Sequence, residues 1–157
     1  MPIPTEPIGS IPRPQKLIEA VQAFNAGHIT QKEVNSLYND AVRDTIRLFE
    51  ATGSPVITDG EQTKPSFATY PIHGLTTLAS DGVTIPFADG HTRQLPRLTA
   101  GPFRYKTYAE GYLVEARKHA QVPVKQAVIS ASALSLLYPQ QRLEGYPREA
   151  FVADLVS

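Results

Sequence analysis

A carboxylate delivered at the end of an apolar strand is the part of this chain best placed to do chemistry. In Pro55-Val-Ile-Thr-Asp-Gly-Glu-Gln-Thr-Lys-Pro-Ser-Phe67 an apolar run enters a glycine turn that presents Glu61. A glutamate there can accept from a ligand ammonium. It fits equally well as the N-cap or first-turn acid of a helix beginning near Pro65, where the helix dipole favours it. Upstream, Pro7-Ile-Gly-Ser-Ile-Pro12 is a second short apolar stretch, broken by a Gly-Ser pair. Gly9 lets a ligand approach the backbone, and the amides of Ile8-Gly9-Ser10 with the Ser10 hydroxyl suit a carboxylate. A plain strand-end turn explains the same three residues.

A third group, His91-Thr-Arg93-Gln94 with Arg97, pairs two arginines on or just after a hairpin. Guanidinium groups grip carboxylates in bidentate fashion, which suits a polyanionic ligand; solvated hairpin charges are the plainer explanation. Ser130-Ala-Ser132 offers hydroxyls or, equally, room for tight helix packing. The histidines His28, His73, His91 and His119 are scattered, with no HxxxH pair on one helix face. His119 reads as an exposed residue in the last turn of its helix. The sequence has no GxGxxG, no phosphate-binding GxxxxGK[ST] and no GxSxG elbow.

The elements that must position these groups alternate. Residues 5–11 read as a short buried strand, and Pro14 opens a helix over Gln15–Asn25 that Gly27 closes. Thr30-Gln-Lys-Glu33 has the spacing of a capping box. Behind it Val34, Leu37, Tyr38, Ala41, Val42, Thr45, Ile46 and Phe49 form an apolar stripe at helical spacing, with Gly53 as the residue that ends it. Pro55–Asp59 is a second strand. Val83–Phe87 and His91–Leu95 flank Asp89-Gly90, a favoured hairpin turn. Arg97–Gly101 is a third strand, Tyr105–Ala120 a helix with Tyr108, Tyr112, Leu113 and Ala116 inward, and Pro123–Ile129 a fourth strand. Helical pieces over Leu134–Tyr138 and Tyr146–Val156 follow.

Strands alternating with helices imply an α/β fold with a parallel sheet and right-handed crossovers. Polar groups at the carboxyl ends of such strands are where a βα-barrel carries its site. Four strands in 157 residues is half of an eight-stranded barrel, which takes about 250 residues. The expectation is therefore one domain over 1–157, the N-terminal half of a (β/α)8 TIM barrel. It has about four parallel strands, a β-hairpin between the second and third, and a cut after the fourth βα unit.

Composition sets the outer bounds. At 41% hydrophobic and 19% charged the chain fits an ordinary globular class. Its 15 basic and 15 acidic residues give zero net charge, so it has no electrostatic footprint for nucleic acid or an anionic membrane. No apolar run reaches the about 18 residues of a membrane span, and the N-terminus has no signal-peptide pattern. A cytoplasmic location is the expectation. With no cysteine, the chain has no disulfide, no thiolate catalysis and no Cys-based zinc site of its own.

Several of these motifs also carry a resemblance. Thr5-Glu-Pro-Ile-Gly-Ser-Ile-Pro12 is similar to the opening IGS motif of the C-terminal catalytic barrel of cobalamin-independent methionine synthases, and Asp59-Gly60-Glu61 to the family's strand-two HGE. Pro123-Val-Lys125 and its serine turn are similar to the family's PVKG strand and TGP turn. Thr92-Arg93-Gln94 loosely resembles an arginine loop that meets the folate tail, with Gln94 where the family has cysteine. The chain resembles more closely a methionine-synthase-like branch with a DGEQTKPSF signature. The resemblance implies that Ile8, Gly9, Ser10 and Glu61 bind the amino-acid substrate, homocysteine or methionine, and that Arg93 and Gln94 bind the folate donor.

The resemblance further implies methyl transfer from a methyl-folate to a thiol such as homocysteine. Zinc would be supplied by strands five to eight, beyond this chain, which alone would be inactive and would self-associate through open sheet edges. Two alternatives stay open. One is a metal-free barrel enzyme resembling uroporphyrinogen decarboxylase, and the other a non-catalytic half-barrel binding or structural module.

Overall fold

The computed structural model describes residues 5–157 and is built from helices and short strands. Contacts divide the described chain into two compact units. One runs up to Phe67 and takes in Ala109–Val128; the other consists of Ala68–Tyr108 and Ile129–Ser157.

In the first unit, helix α1 spans Gln15–Asn25, as its periodicity predicts, and turns Leu17 and Ala20 inward while Ile18 stays exposed. Helix α2 spans Gln31–Ala51 behind a complete capping box. The Thr30 amide donates to Glu33 Oε2 at 2.7 Å, and the Glu33 amide donates to Thr30 Oγ1 at 3.3 Å. These bonds satisfy donors that a helix N-terminus otherwise leaves open, and they hold the Glu33 carboxyl below its usual range. Val34, Ala41, Val42, Thr45 and Ile46 are buried along α2, and Gly53 closes it at φ +75°. Val42 and Ile46 pack with Ile57 and Ala116 into a small core edged by Phe49, Ala120, Val122 and Val124. Ala116 lies on α3, Glu110–Arg117.

The expected parallel sheet is not what the ladders form. Among the described residues its parallel component is one bridge, Ile57 with Val124, made by the Ile57 amide to Pro123 O at 3.0 Å and the Lys125 amide to Ile57 O at 2.9 Å. Residues 5–11 join no ladder. Prolines explain much of this: Pro7, Pro12, Pro55 and Pro123 lie within or beside these stretches, and none has an N–H to give a neighbouring strand.

The second unit holds the antiparallel pairs. Strand β1 (Leu78–Ala79) pairs with β4 (Arg97–Leu98), and β2 (Thr84–Pro86) with β3 (Thr92–Gln94) in the register Ile85 to Arg93. The β2–β3 hairpin turns at Asp89-Gly90 as the sequence predicts, with Gly90 at φ +88°. The stretch expected as a third parallel strand is β4, which is antiparallel. Helix α3 is also shorter than the predicted Tyr105–Ala120. The amides of Lys106 and Thr107 donate to Pro71 O instead of entering a helix, and Tyr105 donates its hydroxyl to Leu155 O at 2.8 Å. Tyr108 is consequently exposed rather than inward.

Ser130 caps α4 (Ala131–Leu134) by accepting from the Ala133 amide at 3.1 Å, and a 3-10 turn over Ser135–Leu137 continues it. Helix α5 spans Arg148–Val156. Phe151 sits at the centre of this unit's core, edge-on to Phe103 with ring centroids 5.3 Å apart. No helix among the described residues is long and apolar enough to cross a membrane.

Candidate functional site

The bridge at Ile57 feeds a buried turn, Thr58-Asp59-Gly60-Glu61-Gln62. Gly60 stands at φ +65°, and a Cβ there would lie 2.8 Å from Ile11 Cγ1 and 2.9 Å from Thr45 Cγ2. Only glycine satisfies both conditions. Glu61 follows at φ +54°, the sole non-glycine residue with positive φ among those described. For a long side chain this conformation costs roughly 1–3 kcal/mol and persists where the surroundings enforce it.

Those surroundings can be named. Asp59 Oδ1 accepts from the Glu61 amide at 2.9 Å, and Asp59 Oδ2 accepts from Gln126 Nε2 at 2.7 Å. Thr58 Oγ1 accepts from the Gly60 amide at 3.2 Å and donates to Gly9 O at 3.2 Å. The Ile11 amide donates to Gly60 O at 3.1 Å. Arg13 closes the outside of the turn: its Nε donates to Gln62 O at 2.9 Å, and its Nη2 donates to the carbonyls of Glu61 and Lys64.

The turn aims the Glu61 carboxylate at Ser10 and Lys64. Ser10 Oγ donates to Oε2. Lys64 Nζ donates to Oε1 at 3.3 Å and to Ala127 O at 2.7 Å. Gly9 lies alongside, where a Cβ would stand 3.5 Å from Glu61 Oε1 and 3.3 Å from Ala127 Cβ. Lys64 is 1% exposed and its ammonium lies 5.6 Å from the centre of the Tyr112 ring, a cation–π distance.

Of the predicted acceptor-site residues, the structure therefore brings Gly9, Ser10 and Glu61 together, whereas the Ile8 side chain is 92% exposed. Sequence reasoning missed Lys64, Arg13 and Gln62. The available signal was the three-residue step from Glu61 to Lys64, which places the two side chains on one side of a helical turn. Gln62 is fully buried; its Nε2 donates to Ile11 O at 3.3 Å, and its Oε1 has no partner among the described residues.

Arg93 and Gln94 lie on the exposed strand β3 in the other unit. Gln94 Nε2 donates to Gly82 O at 3.3 Å. Arg97 grips Asp81 with two bonds of 3.0 Å, which holds the Asp81 carboxyl below its ordinary range. His91 contacts Asp89 and stacks on Phe87. Ser130 is committed to its helix cap. His119 lies beyond the end of α3, half-buried and with no partner for its Nε2 among the described residues, rather than exposed in a last helical turn. Among the described residues no group of three or more His, Asp or Glu side chains could hold a metal ion. With no cysteine in the chain, the residues present do not fit a thiolate zinc site.

No family model matches the chain. It is similar to the methionine synthase of Sulfolobus acidocaldarius, 35% identical over 68 residues that cover 43% of this chain and 20% of that one. It is 39% identical over 59 residues to the methionine synthase of Saccharolobus islandicus, covering 38% and 18%. These matches span about a fifth of the curated relatives' length. Among solved structures, the fold matches a B12-independent methionine synthase from Shewanella sp. W3-18-1 in complex with selenomethionine, with TM-score 0.69 and 20% identity over 96% of this chain and 44% of that one. A putative B12-independent methionine synthase from Listeria monocytogenes matches with TM-score 0.65 and 22% identity, covering 94% and 43%. The chain thus shares the fold of part of these proteins.

Proposed function

We propose that this chain is the N-terminal half of a (β/α)8 barrel from a methionine-synthase-like methyltransferase, and that it supplies the pocket orienting the polar end of a thiol acceptor. The observation that carries this is the meeting of Ser10 with Glu61 across 51 positions of sequence, on a turn strained at Glu61. Those residues come from two of the motifs on which the resemblance rests. Similarity to methionine synthases in sequence, and to B12-independent methionine synthases in fold, supports the reading.

In the complete reaction the acceptor's thiolate sulfur attacks the methyl carbon of a folate-type donor. A sulfur–carbon bond forms, the methyl–nitrogen bond breaks, and its electron pair stays on the donor nitrogen, which takes up a proton. Gly9 leaves room beside the carboxylate, and Ser10 and Glu61 fix the acceptor's position, worth rate through orientation. On this reading Ile8 contributes its backbone. Arg93 and Gln94 are a separate proposal for the donor's carboxylates. Thiol activation by zinc would belong to residues outside this chain.

The reading is tested by calorimetric titration of the 157-residue chain with two thioethers. One is L-methionine; the other is methylthiobutanoate, which is methionine with hydrogen in place of its ammonium. Binding of at least one, lost in Ser10→Ala and Glu61→Gln, is expected. Binding of neither by folded protein, or binding untouched by both substitutions, refutes it.

A further inference from the structure

The resemblance gives Glu61 the task of accepting a substrate ammonium, yet the chain already provides one. Lys64 is as buried as a core leucine, and its ammonium donates to Glu61 Oε1 and Ala127 O, with the Tyr112 ring nearby. The other carboxylate oxygen takes the Ser10 hydroxyl. Both Glu61 oxygens are engaged within the chain.

The charges around the turn balance as well. Glu61 and Asp59 contribute two negative charges. Lys64 and Arg13 contribute two positive ones, with Arg13 bonded to the carbonyls of the same turn. A ligand ammonium placed beside Glu61 would stand against the like charge of Lys64, at a carboxylate whose two oxygens already have donors, unless Lys64 moved away. Moving it would break a bond to Glu61 and strand the Ala127 carbonyl. Burying an unpaired charge or an unsatisfied carbonyl is costly in either case.

We propose that Lys64 is a specificity-determining residue that occupies the ammonium position of the acceptor pocket, so that the acceptor is a thiol or thioether without an α-ammonium group. This inference rests on the reading that Ser10 and Glu61 face the acceptor. The lysine replaces the charge an amino acid would bring, and selection against the amino acid follows from like-charge repulsion as much as from lost attraction.

The experiment compares the affinities of the folded 157-residue chain for L-methionine and methylthiobutanoate, in wild type and in Lys64→Met. The wild type is expected to bind methylthiobutanoate at least as tightly as methionine. Lys64→Met, which frees the carboxylate at nearly constant side-chain length, is expected to shift the ratio toward methionine by about tenfold. Should Lys64→Met not fold, Lys64→Gln, which removes the charge but keeps a donor for Ala127 O, takes its place and is expected to shift the ratio in the same direction. A wild type preferring methionine by about tenfold or more overturns this inference and leaves the acceptor reading standing. So does an unchanged ratio in the lysine variants. Binding of neither compound overturns the acceptor reading, and this inference with it.

Discussion

Replacing Lys64 by methionine is the perturbation whose cost can be worked most directly from the structure. At 3.3 Å from Glu61 Oε1, the pair attracts by about 5 kcal/mol at an effective dielectric constant of about 20. Dehydrating two ions offsets most of that, so the intact pair adds little net stability. Removing one partner is different, because it leaves the Glu61 carboxylate, 6% exposed, buried without its cation. Breaking a buried pair in this way costs about 3–5 kcal/mol. For a chain of this size that lowers the melting temperature by about 6–20 °C. Glu61→Gln should cost less, since Ala127 O still accepts from Lys64 Nζ at 2.7 Å. The double variant should lie within about 1–2 kcal/mol of wild type, because a neutral pair carries no stranded charge. The assay is chemical denaturation of the four proteins followed by helical circular dichroism, read as a double-mutant cycle. A coupling of about 2 kcal/mol or more is expected; one below about 0.5 kcal/mol would refute the claim that this ion pair holds the turn.

Three further outcomes follow from other parts of the structure. Gly60→Ala should destabilise by about 2–4 kcal/mol, through positive φ and the contacts with Ile11 and Thr45, and should weaken thioether binding in step because Glu61 is displaced; unfolding and titration of the same variant check both. Thr30→Ala should cost about 1 kcal/mol and Thr30→Asp almost nothing, measured by urea unfolding, because aspartate can accept from the Glu33 amide as threonine does. In the second unit the Asp154 carboxyl is held below its usual range, chiefly by the Tyr146 hydroxyl and then by Arg104, while burial and Asp154 push the Tyr146 phenol up. The lowered carboxyl contributes stability above the unfolded aspartate value of about 3.9 that is lost as pH falls through the folded one; the raised phenol contributes stability below about 10 that is lost as pH rises. Asp154→Asn should therefore flatten the acid limb of the stability curve and Tyr146→Phe the alkaline limb, and acid limbs that run parallel in wild type and Asp154→Asn would contradict the first assignment.

Local signals in the sequence were the legible ones. Helix α1 and the Thr30–Glu33 box follow from periodicity and spacing within one element, and the Asp89-Gly90 hairpin from a turn that needs no distant partner. The strands were harder because a ladder depends on what the facing chain can donate, and proline removes donors at Pro7, Pro12, Pro55 and Pro123. Tyr105–Tyr108 has helical spacing, but Pro71 O captures its amides, a tertiary bond no local pattern announces. In the site, Glu61 and Ser10 were visible as polar groups at the ends of apolar runs. Lys64 was not, because a lysine among Gln62, Thr63 and Pro65 reads as solvated; its burial depends on Ala127 and Tyr112 from another segment of the same unit.

That burial bears on how a shared fold can change its ligand. Turning Glu61 into the left-handed region, walling it with Gly9 and Gly60 and bonding it to Ser10 all create a carboxylate poised for a cation. None of these features says whether the cation comes from the ligand or from the protein. Lys64 decides it with one side chain, three residues beyond the carboxylate, and leaves the backbone of the turn unaltered. On the proposed function, the fold keeps its turn geometry while exchanging an amino-acid acceptor for one without the amino group. Affinity for the des-amino thioether measures that exchange more directly than sequence identity, because identity across the turn records its shape and not the origin of its positive charge.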